Sequence, residues 1–290
     1  MQAVTRSIGF LALALLFGAP LAALYAWTQS TGHVGAGILV LVAYMFTPCL
    51  AAVILARREG VPLREALGLR AKKTWWWVGA LGFPPVLAAV TAAASLLIPG
   101  ASFSPEMAGM IERYADLIPP EQLPELQAQL LALPSPWILI PVAVTQGIVA
   151  GATVNAAAAF GEEAGWRGWL YRELRPLGFW RSSLVVGTLW GLWHAPLILQ
   201  GYNYPAHPMA GVGMMTAMCI GLSPAMTLLR DKTDSVGSAA VFHGVFNATA
   251  TLSLLYVVGG SDLTVGVTGA AGLGVLAMMN LGVWWVERRS

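Results

Sequence analysis

Long hydrophobic runs alternate with short polar segments along almost the whole chain. Eight of these runs approach the roughly 20 residues that a helix needs to cross a bilayer. They cover residues 7–27, 35–56, 75–98, 137–171, 182–200, 209–229, 238–258 and 264–285. The pattern predicts an all-α integral membrane protein, built as a bundle of about eight transmembrane helices.

The runs and their connections predict a single transmembrane domain over residues 1–290. Within it, residues 137–258 form the core that carries the polar motifs, and residues 99–136 form a long acidic loop on the outer side. Leucines at helical spacing between residues 123 and 131 predict a short amphipathic helix in that loop. Residues 61–73 predict a second short surface helix, on the inner side.

Two of the runs need an interpretation of their own. The run at 137–171 is too long for one upright helix, so we expect it to tilt, project or break around residues 147–151. The first run, 7–27, follows Arg6 and has the apolar core of a signal peptide. Its core exceeds the roughly 7–15 residues that such peptides use, so we interpret it as a span.

Composition supports the membrane class. Hydrophobic residues make up 57% of the chain and charged residues only 10%, whereas soluble domains carry about 25% charged residues. The net charge is +2, which gives no reason to expect a nucleic-acid partner. The partner that this composition requires is the lipid bilayer.

The positions of the basic residues predict an orientation. If the N-terminus is cytoplasmic, fifteen of the sixteen Lys and Arg residues fall in inner segments, and only Arg113 falls outside. Cytoplasmic loops carry such an excess of basic residues. We therefore expect a multi-pass protein with both termini in the cytoplasm, in the plasma (inner) membrane.

Most of the tryptophans fall at the ends of the runs, where an aromatic belt meets the membrane interface. Four others flank the polar motifs: Trp166, Trp169, Trp190 and Trp193. Two interpretations of these four stay open at this point. They pack the interior of the bundle, or they form an aromatic wall along a site.

A few polar residues interrupt the apolar runs: Glu162, Glu163, His194, His243 and Asn247. Ionisable groups inside a span are costly, so they are functional candidates by default. At a rise of about 1.5 Å per residue, their depths overlap in the cytoplasmic half of the bilayer. Four of these side chains, those of Glu162, His194, His243 and Asn247, can therefore meet in one site.

Helical spacing divides the roles of the two glutamates. Glu163 and Arg167 are four residues apart, which places them on one helix face in the order that favours an ion pair. Glu162 is rotated from Glu163 by about 100° and cannot use that face equally well. The spacing predicts that Arg167 neutralises Glu163 and leaves Glu162 free.

Three motifs resemble those of one family of membrane enzymes. GEEAGWRGWL contains an EExxxR signature, WGLWH is similar to an FxxxH element with Trp190 in place of Phe, and HGVFN is similar to an HxxxN element. In this order, on three separate spans, they resemble the CAAX protease and bacteriocin-processing family of intramembrane proteases. The type II CAAX prenyl endopeptidases are its best-known class.

The resemblance implies an intramembrane endopeptidase that hydrolyses a peptide bond of a membrane-associated peptide or protein, prenylated or lipophilic substrates included. It implies that Glu162 and His194 activate water, and that His243 and Asn247 form an oxyanion hole. The physical chemistry agrees, because a carboxylate in a water-poor site suits general base catalysis, and neutral N–H donors stabilise an oxyanion. The supporting residues are Glu163, Arg167 and Trp190.

A metal-dependent mechanism is the main alternative for the chemistry. Glu162, His194 and His243 would provide the three protein ligands of a catalytic zinc site. They lie on different helices, however, and no other acid within the spans is free to orient a histidine if Glu163 is committed to Arg167. We therefore expect no metal and no cofactor, with Glu162 as the base.

Two other classes of protein stay open. One is a non-catalytic membrane scaffold or regulator with the same fold, and the other is a proton-coupled transporter, which a carboxylate and histidine cluster would suit. The absence of repeated halves in the sequence disfavours a transporter. An HExxH helix is also absent, and Cys49 and Cys219 lie in mid-span, as buried thiols do.

Overall fold

The structure, a computed structural model, describes residues 2–114 and 120–289, and it is almost entirely helical. The α-helices are α1 (Gln2–Ser30), α2 (Val34–Met45), α3 (Thr47–Arg58), α4 (Leu63–Ala66), α5 (Trp76–Ser95), α6 (Ala108–Tyr114), α7 (Leu123–Leu131), α8 (Pro136–Ala150), α9 (Ala156–Glu163), α10 (Tyr171–Leu174), α11 (Phe179–Trp193), α12 (Ala195–Ile198), α13 (Pro208–Thr233), α14 (Val236–Thr249), α15 (Leu252–Leu255) and α16 (Ala270–Glu287). Two short strands, β1 (Ser102–Phe103) and β2 (Val257–Val258), form an antiparallel pair. The predicted all-α membrane class is confirmed.

Seven helical segments of the described chain are long and apolar enough to cross a membrane. The predicted run 182–200 is not among them, because its helix is interrupted at His194 and carries polar residues at both ends. It nevertheless traverses the bundle. Arg175, which precedes it, pairs with Asp231 at one end of the bundle, and His207, which follows it, pairs with Asp262 at the other. Counted with this segment, the described residues pass through the bundle eight times, one more than the seven segments that are apolar enough to cross a membrane, so the eighth membrane span stays a prediction.

The long run at 137–171 neither breaks nor ends near residues 147–151. The chain stays helical from α8 to α10 but changes to π-helical winding twice, at Gly151–Asn155 and at Ala164–Leu170. The first change coincides with a very close crossing of α14. A Cβ on Gly151 would come within 2.4 Å of the Val245 Cα. Such π segments are rare and often mark functional sites.

Charged residues gather at one end of the bundle. Arg6 pairs with Glu59 and also contacts Glu173, and Lys72 lies 3.8 Å from Asp234. The opposite end holds the strand pair and the hydrogen bond of 3.2 Å from Arg113 to the Gly259 carbonyl. Four of the five segments that the charge pattern assigns to the inner side thus share one end. That this end is cytoplasmic stays a prediction.

The short surface helices follow the sequence in part. The predicted helix in the acidic loop is confirmed as α7, whereas residues 115–119 of that loop, with Asp116, lie outside the described residues. The predicted inner helix at 61–73 is only the single turn α4. It ends because Gly68 adopts a φ of +63°, which lets the Leu69 N–H bond back to the Arg64 carbonyl and close the helix.

Aromatic side chains fill the centre of the bundle. Phe10 of α1 stacks on Trp169 at 5.3 Å between ring centroids and meets Trp166 edge-on at 5.1 Å. Tyr44 lies 4.4 Å from Trp193 by the same measure. Each such pair contributes about 0.5–1.5 kcal/mol beyond area burial. Packing is therefore the right interpretation for three of the four central tryptophans, and Trp190 is the exception.

Candidate active site

The two adjacent glutamates close α9, immediately before the second π segment. Both are buried: Glu162 is 3% exposed and Glu163 is 0% exposed. Because successive helix positions diverge by about 100°, the two carboxylates face different neighbours. Glu162 faces α11, and Glu163 faces Arg167 and α14.

Glu163 holds a buried cation, as the spacing predicts. Arg167 Nη1 lies 3.1 Å from Oε1 and 3.0 Å from Oε2 of Glu163, and both side chains are fully buried. This ion pair confirms the predicted i, i+4 pairing. A charge in such a place is tolerated only when it is paired, so the two side chains depend on each other.

Glu163 also contacts a histidine, which the sequence interpretation missed. His243 Nδ1 lies 2.9 Å from Oε1 of Glu163, and His243 is 4% exposed. The expectation that no acid is free to orient a histidine is therefore wrong. A carboxylate oxygen accepts more than one hydrogen bond, so pairing with Arg167 does not exclude His243. The contact arises because α14 crosses α9, which no local pattern indicates.

Glu162 has a different environment. Its Oε2 accepts a hydrogen bond of 2.7 Å from the indole Nε1 of Trp190. Within residues 2–114 and 120–289, no ion pair is formed by Glu162. The structure thus has the predicted division between the two glutamates. Arg167 pairs with Glu163, whereas the neutral Trp190 indole donates to Glu162.

His194 occupies the break between α11 and α12. Its Nδ1 lies 2.9 Å from the Trp190 carbonyl oxygen. Because a carbonyl oxygen only accepts, Nδ1 carries the proton, and Nε2 is left with a lone pair. The ring also packs on Trp193 at 4.8 Å between centroids and is partly exposed. His194 is therefore set up to accept a hydrogen bond at Nε2.

Trp190 lies at the centre of the candidate site. Besides its bond to Glu162, its ring lies 5.3 Å from the His243 ring and 5.8 Å from the His194 ring. The Arg167 guanidinium carbon lies 4.5 Å from the ring centroid, as in a cation–π contact. Trp190 thus packs in the core and also borders the candidate site; that it forms the wall of a working site stays a prediction. The Trp190 side chain thus contacts Glu162, Arg167, His194 and His243.

Asn247 is the predicted site residue that the structure does not bring into contact with the others. It follows His243 by one helical turn on α14, as its spacing predicts, but its side chain is exposed. In the described chain, no hydrogen bond joins it to the cluster. Its part in an oxyanion hole stays a prediction.

The arrangement of potential metal ligands bears on the zinc alternative. Among the residues that the structure describes, no group of three His, Cys, Asp or Glu side chains is close enough to hold a metal ion. Glu162, His194 and His243 are each held by another partner: the Trp190 indole, the Trp190 carbonyl and Glu163. The bonds of the two histidines use Nδ1 and leave Nε2 free, as in histidines that ligate zinc. Only the separation of the three groups disfavours zinc, and the metal-free expectation stays a prediction.

Sequence reasoning also missed two hydrogen bonds that hold Trp193, the residue before His194. The Tyr44 hydroxyl donates to the Trp193 carbonyl at 2.7 Å, and the Trp193 indole donates to the Thr47 hydroxyl at 3.2 Å. These bonds fix the residue before His194. A signal was present, because Tyr44 and Thr47 place buried hydroxyls in an otherwise apolar run, where each needs a partner.

Glycines allow α2 and α3 to pack against the glutamates. A Cβ on Gly161 would lie 2.8 Å from the Met45 carbonyl oxygen, and one on Gly165 would lie 2.5 Å from the Pro48 Cβ. The helix that carries Glu162 and Glu163 therefore lies directly against the α2–α3 junction. This contact excludes lipid and water from that side of the site.

Comparison with known protein families agrees with this geometry. Residues 135–249 match the family described as type II CAAX prenyl endopeptidase Rce1-like. This segment is similar to that family over about two fifths of the chain. It runs from the start of α8 to the end of α14 and contains every candidate site residue. No curated protein matches the chain.

The Rce1-like match supports a CAAX-type intramembrane protease at the level of the family. It confirms the resemblance inferred from the EExxxR, FxxxH-like and HxxxN motifs. Together with the seven apolar helices of the described chain, it makes this an integral, multi-pass membrane protein.

Proposed function

We propose that this Rce1-like chain is an intramembrane endopeptidase that hydrolyses a peptide bond of a membrane-associated substrate, prenylated and other lipophilic peptides included. The observation that carries the proposal is the environment of Glu162. It is a buried carboxylate in an Rce1-like segment, held by the neutral Trp190 indole and not by the nearby cation. The Trp190 ring in turn lies 5.8 Å from the His194 ring and 5.3 Å from the His243 ring. A carboxylate kept free of cations in a water-poor site suits a general base.

In the proposed reaction, Glu162 takes a proton from a water molecule that His194 holds through Nε2. The water oxygen forms a bond to the carbonyl carbon of the substrate, and the carbonyl oxygen becomes an oxyanion. When the C–N bond breaks, Glu162 returns the proton to the amine nitrogen that leaves. Proton transfer by a positioned carboxylate contributes typically 10²–10⁴-fold to a rate, that is about 3–5 kcal/mol of barrier.

His243 is the proposed donor to the oxyanion. If Glu163 is ionised, its bond to Nδ1 keeps the proton there, so the donor that faces substrate needs a proton on Nε2 as well. The Glu163–Arg167 pair then holds His243 in place through the bond to Nδ1. Asn247 is the second proposed donor, which requires its exposed side chain to turn toward the substrate.

The proposed setting follows from the same residues. The substrate enters from the bilayer or its cytoplasmic interface, the protein is an integral component of the plasma (inner) membrane with cytoplasmic termini, and no nucleic acid or cofactor takes part. The grouping of the predicted inner segments at one end of the bundle supports this orientation.

The test uses the full chain in nanodiscs and three matched peptides: a farnesylated CAAX peptide, the same peptide without the lipid, and the same peptide with a palmitoyl chain. Cleavage is followed by mass spectrometry. We expect release of the C-terminal residues from at least one lipidated peptide, and loss of release with Glu162→Gln.

The scaffold and regulator class gives the opposite result. Neither lipidated peptide would be cleaved, and a cellular phenotype of the deletion would be restored equally by wild-type protein and by Glu162→Gln. Protein levels of both forms are measured by immunoblot, so that poor expression is not mistaken for lost activity.

A further inference from the structure

The helix that carries His194 changes its hydrogen bonding at that residue. The His194 N–H bonds to the Gly191 carbonyl at 3.1 Å, and the Leu197 N–H bonds to the His194 carbonyl at 3.0 Å, each three residues back. In a regular α-helix, the two bonds would reach the carbonyls four residues back, those of Trp190 and Trp193. These two carbonyls are therefore released from the helix.

Pro196 explains why the helix tightens here. A proline has no N–H, and its ring clashes with the carbonyl four residues earlier, so it interrupts a regular helix. We call residues 190–197 the tightened turn. Its released carbonyls need other donors, because buried backbone polar groups in folded proteins are almost always paired.

Each released carbonyl accepts from a side chain. The Trp190 carbonyl takes the Nδ1–H of His194 at 2.9 Å, and this bond fixes the imidazole ring with Nε2 free. The Trp193 carbonyl takes the hydroxyl of Tyr44 at 2.7 Å. The second bond comes from a helix 149 positions away in the sequence, so it ties the tightened turn to α2.

Tyr44 makes this bond from an enclosed position. Its side chain is 1% exposed, and its ring lies 4.4 Å from the Trp193 ring between centroids. The Trp193 indole donates in turn to the Thr47 hydroxyl at 3.2 Å. Trp193 is thus held at its carbonyl, its ring and its indole N–H by side chains on either side of the break between α2 and α3.

The same break lies against the residue before Glu162. A Cβ on Gly161 would come within 2.8 Å of the Met45 carbonyl oxygen, so the two backbones are in direct contact. Residues 44–48 form the α2–α3 junction. This junction therefore contacts both Gly161 and Trp193, the residues that precede the two groups proposed to act on water.

We propose that Tyr44 is a positioning residue for His194. By donating to the Trp193 carbonyl, its hydroxyl stabilises the tightened turn, in which the Trp190 carbonyl is open to Nδ1 of His194. The α2–α3 junction then acts as a spacer that sets where Nε2 of His194 lies relative to Glu162. The use of this placement in hydrolysis rests on the proposed function, whereas the hold of Tyr44 on the His194 ring does not.

A role in packing alone is the alternative for Tyr44. Tyr44→Phe separates the two roles, because it keeps the ring against Trp193 and removes only the hydroxyl. Tyr204→Phe is the matched control. Tyr204 is 0% exposed, lies between α12 and α13 outside the candidate site, and donates its hydroxyl to the Thr268 carbonyl at 2.8 Å. A hydroxyl that only stabilises the fold would behave alike in both variants.

The first readout is the His194 ring itself, in full-length protein in nanodiscs. In nuclear magnetic resonance spectra of isotope-labelled histidine, the ring nitrogen shifts distinguish a proton on Nδ1 from a proton on Nε2. The chain has four histidines, so His194→Gln identifies the signals of His194 by their loss. We expect one tautomer, with the proton on Nδ1, in wild type and Tyr204→Phe, and a mixture of tautomers in Tyr44→Phe.

The second readout is kinetic. A water held at Nε2 of His194 serves the chemical step and not the binding of the peptide. Small misplacements of a reacting group cost up to about 100-fold in rate, so Tyr44→Phe should lower kcat at least about tenfold and change KM less than about twofold. Tyr204→Phe should keep the wild-type kcat. Thr47→Val removes the acceptor of the longer indole bond and should lower kcat by a smaller factor.

Two results would overturn the proposal. One is a single Nδ1 tautomer of His194 in Tyr44→Phe, and the other is a kcat of Tyr44→Phe that equals the kcat of Tyr204→Phe. If wild-type protein cleaves no peptide, the proposed protease function fails, and the tautomers of His194 still decide the role of Tyr44. If Tyr44→Phe does not fold, Thr47→Val replaces it in both readouts, because it loosens the same turn through the other bond.

Discussion

The indole N–H of Trp190 donates a hydrogen bond of 2.7 Å to the Glu162 carboxylate. The motif that this position resembles, FxxxH, has phenylalanine there, and phenylalanine has no donor. In this chain, the candidate base Glu162 is therefore held by a hydrogen bond that a phenylalanine at this position could not donate. The same indole ring is in contact with Arg167, His194 and His243.

The substitution Trp190→Phe separates the donor from the ring. We expect the fold to persist, because the aromatic contacts with Arg167 and His243 are largely kept. A hydrogen bond to a charged group is worth about 1.5–3 kcal/mol, so loss of orientation at Glu162 should lower kcat about tenfold or more with little change in KM. Steady-state kinetics on a cleaved lipidated peptide measure this.

Trp190→Ala is the control for that experiment. It removes both the donor and the packing, so it should lower the unfolding temperature as well as kcat. If Trp190→Phe has wild-type kcat, the bond to Glu162 does not position the base, and the role of Trp190 is limited to packing.

The two glutamates should respond differently to the same chemical change. Glu163→Gln leaves the Arg167 cation buried without its counter-ion, and breaking a buried pair in this way costs about 3–5 kcal/mol. Glu162→Gln keeps an oxygen that can accept from Trp190, so the fold should be intact and hydrolysis absent. Thermal unfolding and peptide cleavage are measured on both variants. Equal destabilisation with equal residual activity would contradict this division of roles.

Local patterns predicted much of this fold, for a physical reason. A bilayer imposes length and apolarity on each crossing, so hydrophobic runs alone located the crossings, including the less apolar Phe179–Ile198. The π segments were not predictable in the same way. The first of them coincides with the close approach of Gly151 to Val245, between helices far apart in the sequence, and a lone glycine does not indicate its neighbour.

The same distinction applies to the candidate site. The Glu163–Arg167 pair follows from i, i+4 spacing and needs no tertiary information. The bonds from Glu163 to His243 and from Trp190 to Glu162 join residues that are 80 and 28 positions apart. They are set by how α9, α11 and α14 cross, so the residues were predictable and their pairing was not.

The orientation of the bundle is open to a direct measurement. Single cysteines at Glu121, in the acidic loop, and at Arg70, in the basic inner segment, are placed in a chain with Cys49→Ala and Cys219→Ala; both chosen positions are exposed. A membrane-impermeant maleimide added to intact cells should label the cysteine at position 121 and spare the one at position 70. The reverse pattern would place both termini outside.

Metal dependence can be tested on purified protein. Because the described residues offer no cluster of three metal ligands, we expect activity to survive exhaustive chelation and metal analysis to find far less than one equivalent of zinc. Zinc bound stoichiometrically, with activity lost on its removal and restored on its return, would make Glu162 a ligand and not the base.

The buried ion pair allows a sharper test of His243. In Glu163→Gln/Arg167→Met, both buried charges are removed together, and replacing an ion pair by apolar or neutral groups is often neutral for stability. The double variant should therefore regain much of the unfolding temperature lost in Glu163→Gln, with a coupling between the sites that single variants do not show.

Activity should not return in that double variant. Its glutamine no longer offers His243 a carboxylate, which in the wild type lies 2.9 Å from Nδ1. If Glu163 serves the reaction by orienting His243, kcat stays low although the protein is stable again. Recovery of both stability and kcat would show that His243 does not need a carboxylate at position 163, since the glutamine oxygen can still accept from Nδ1.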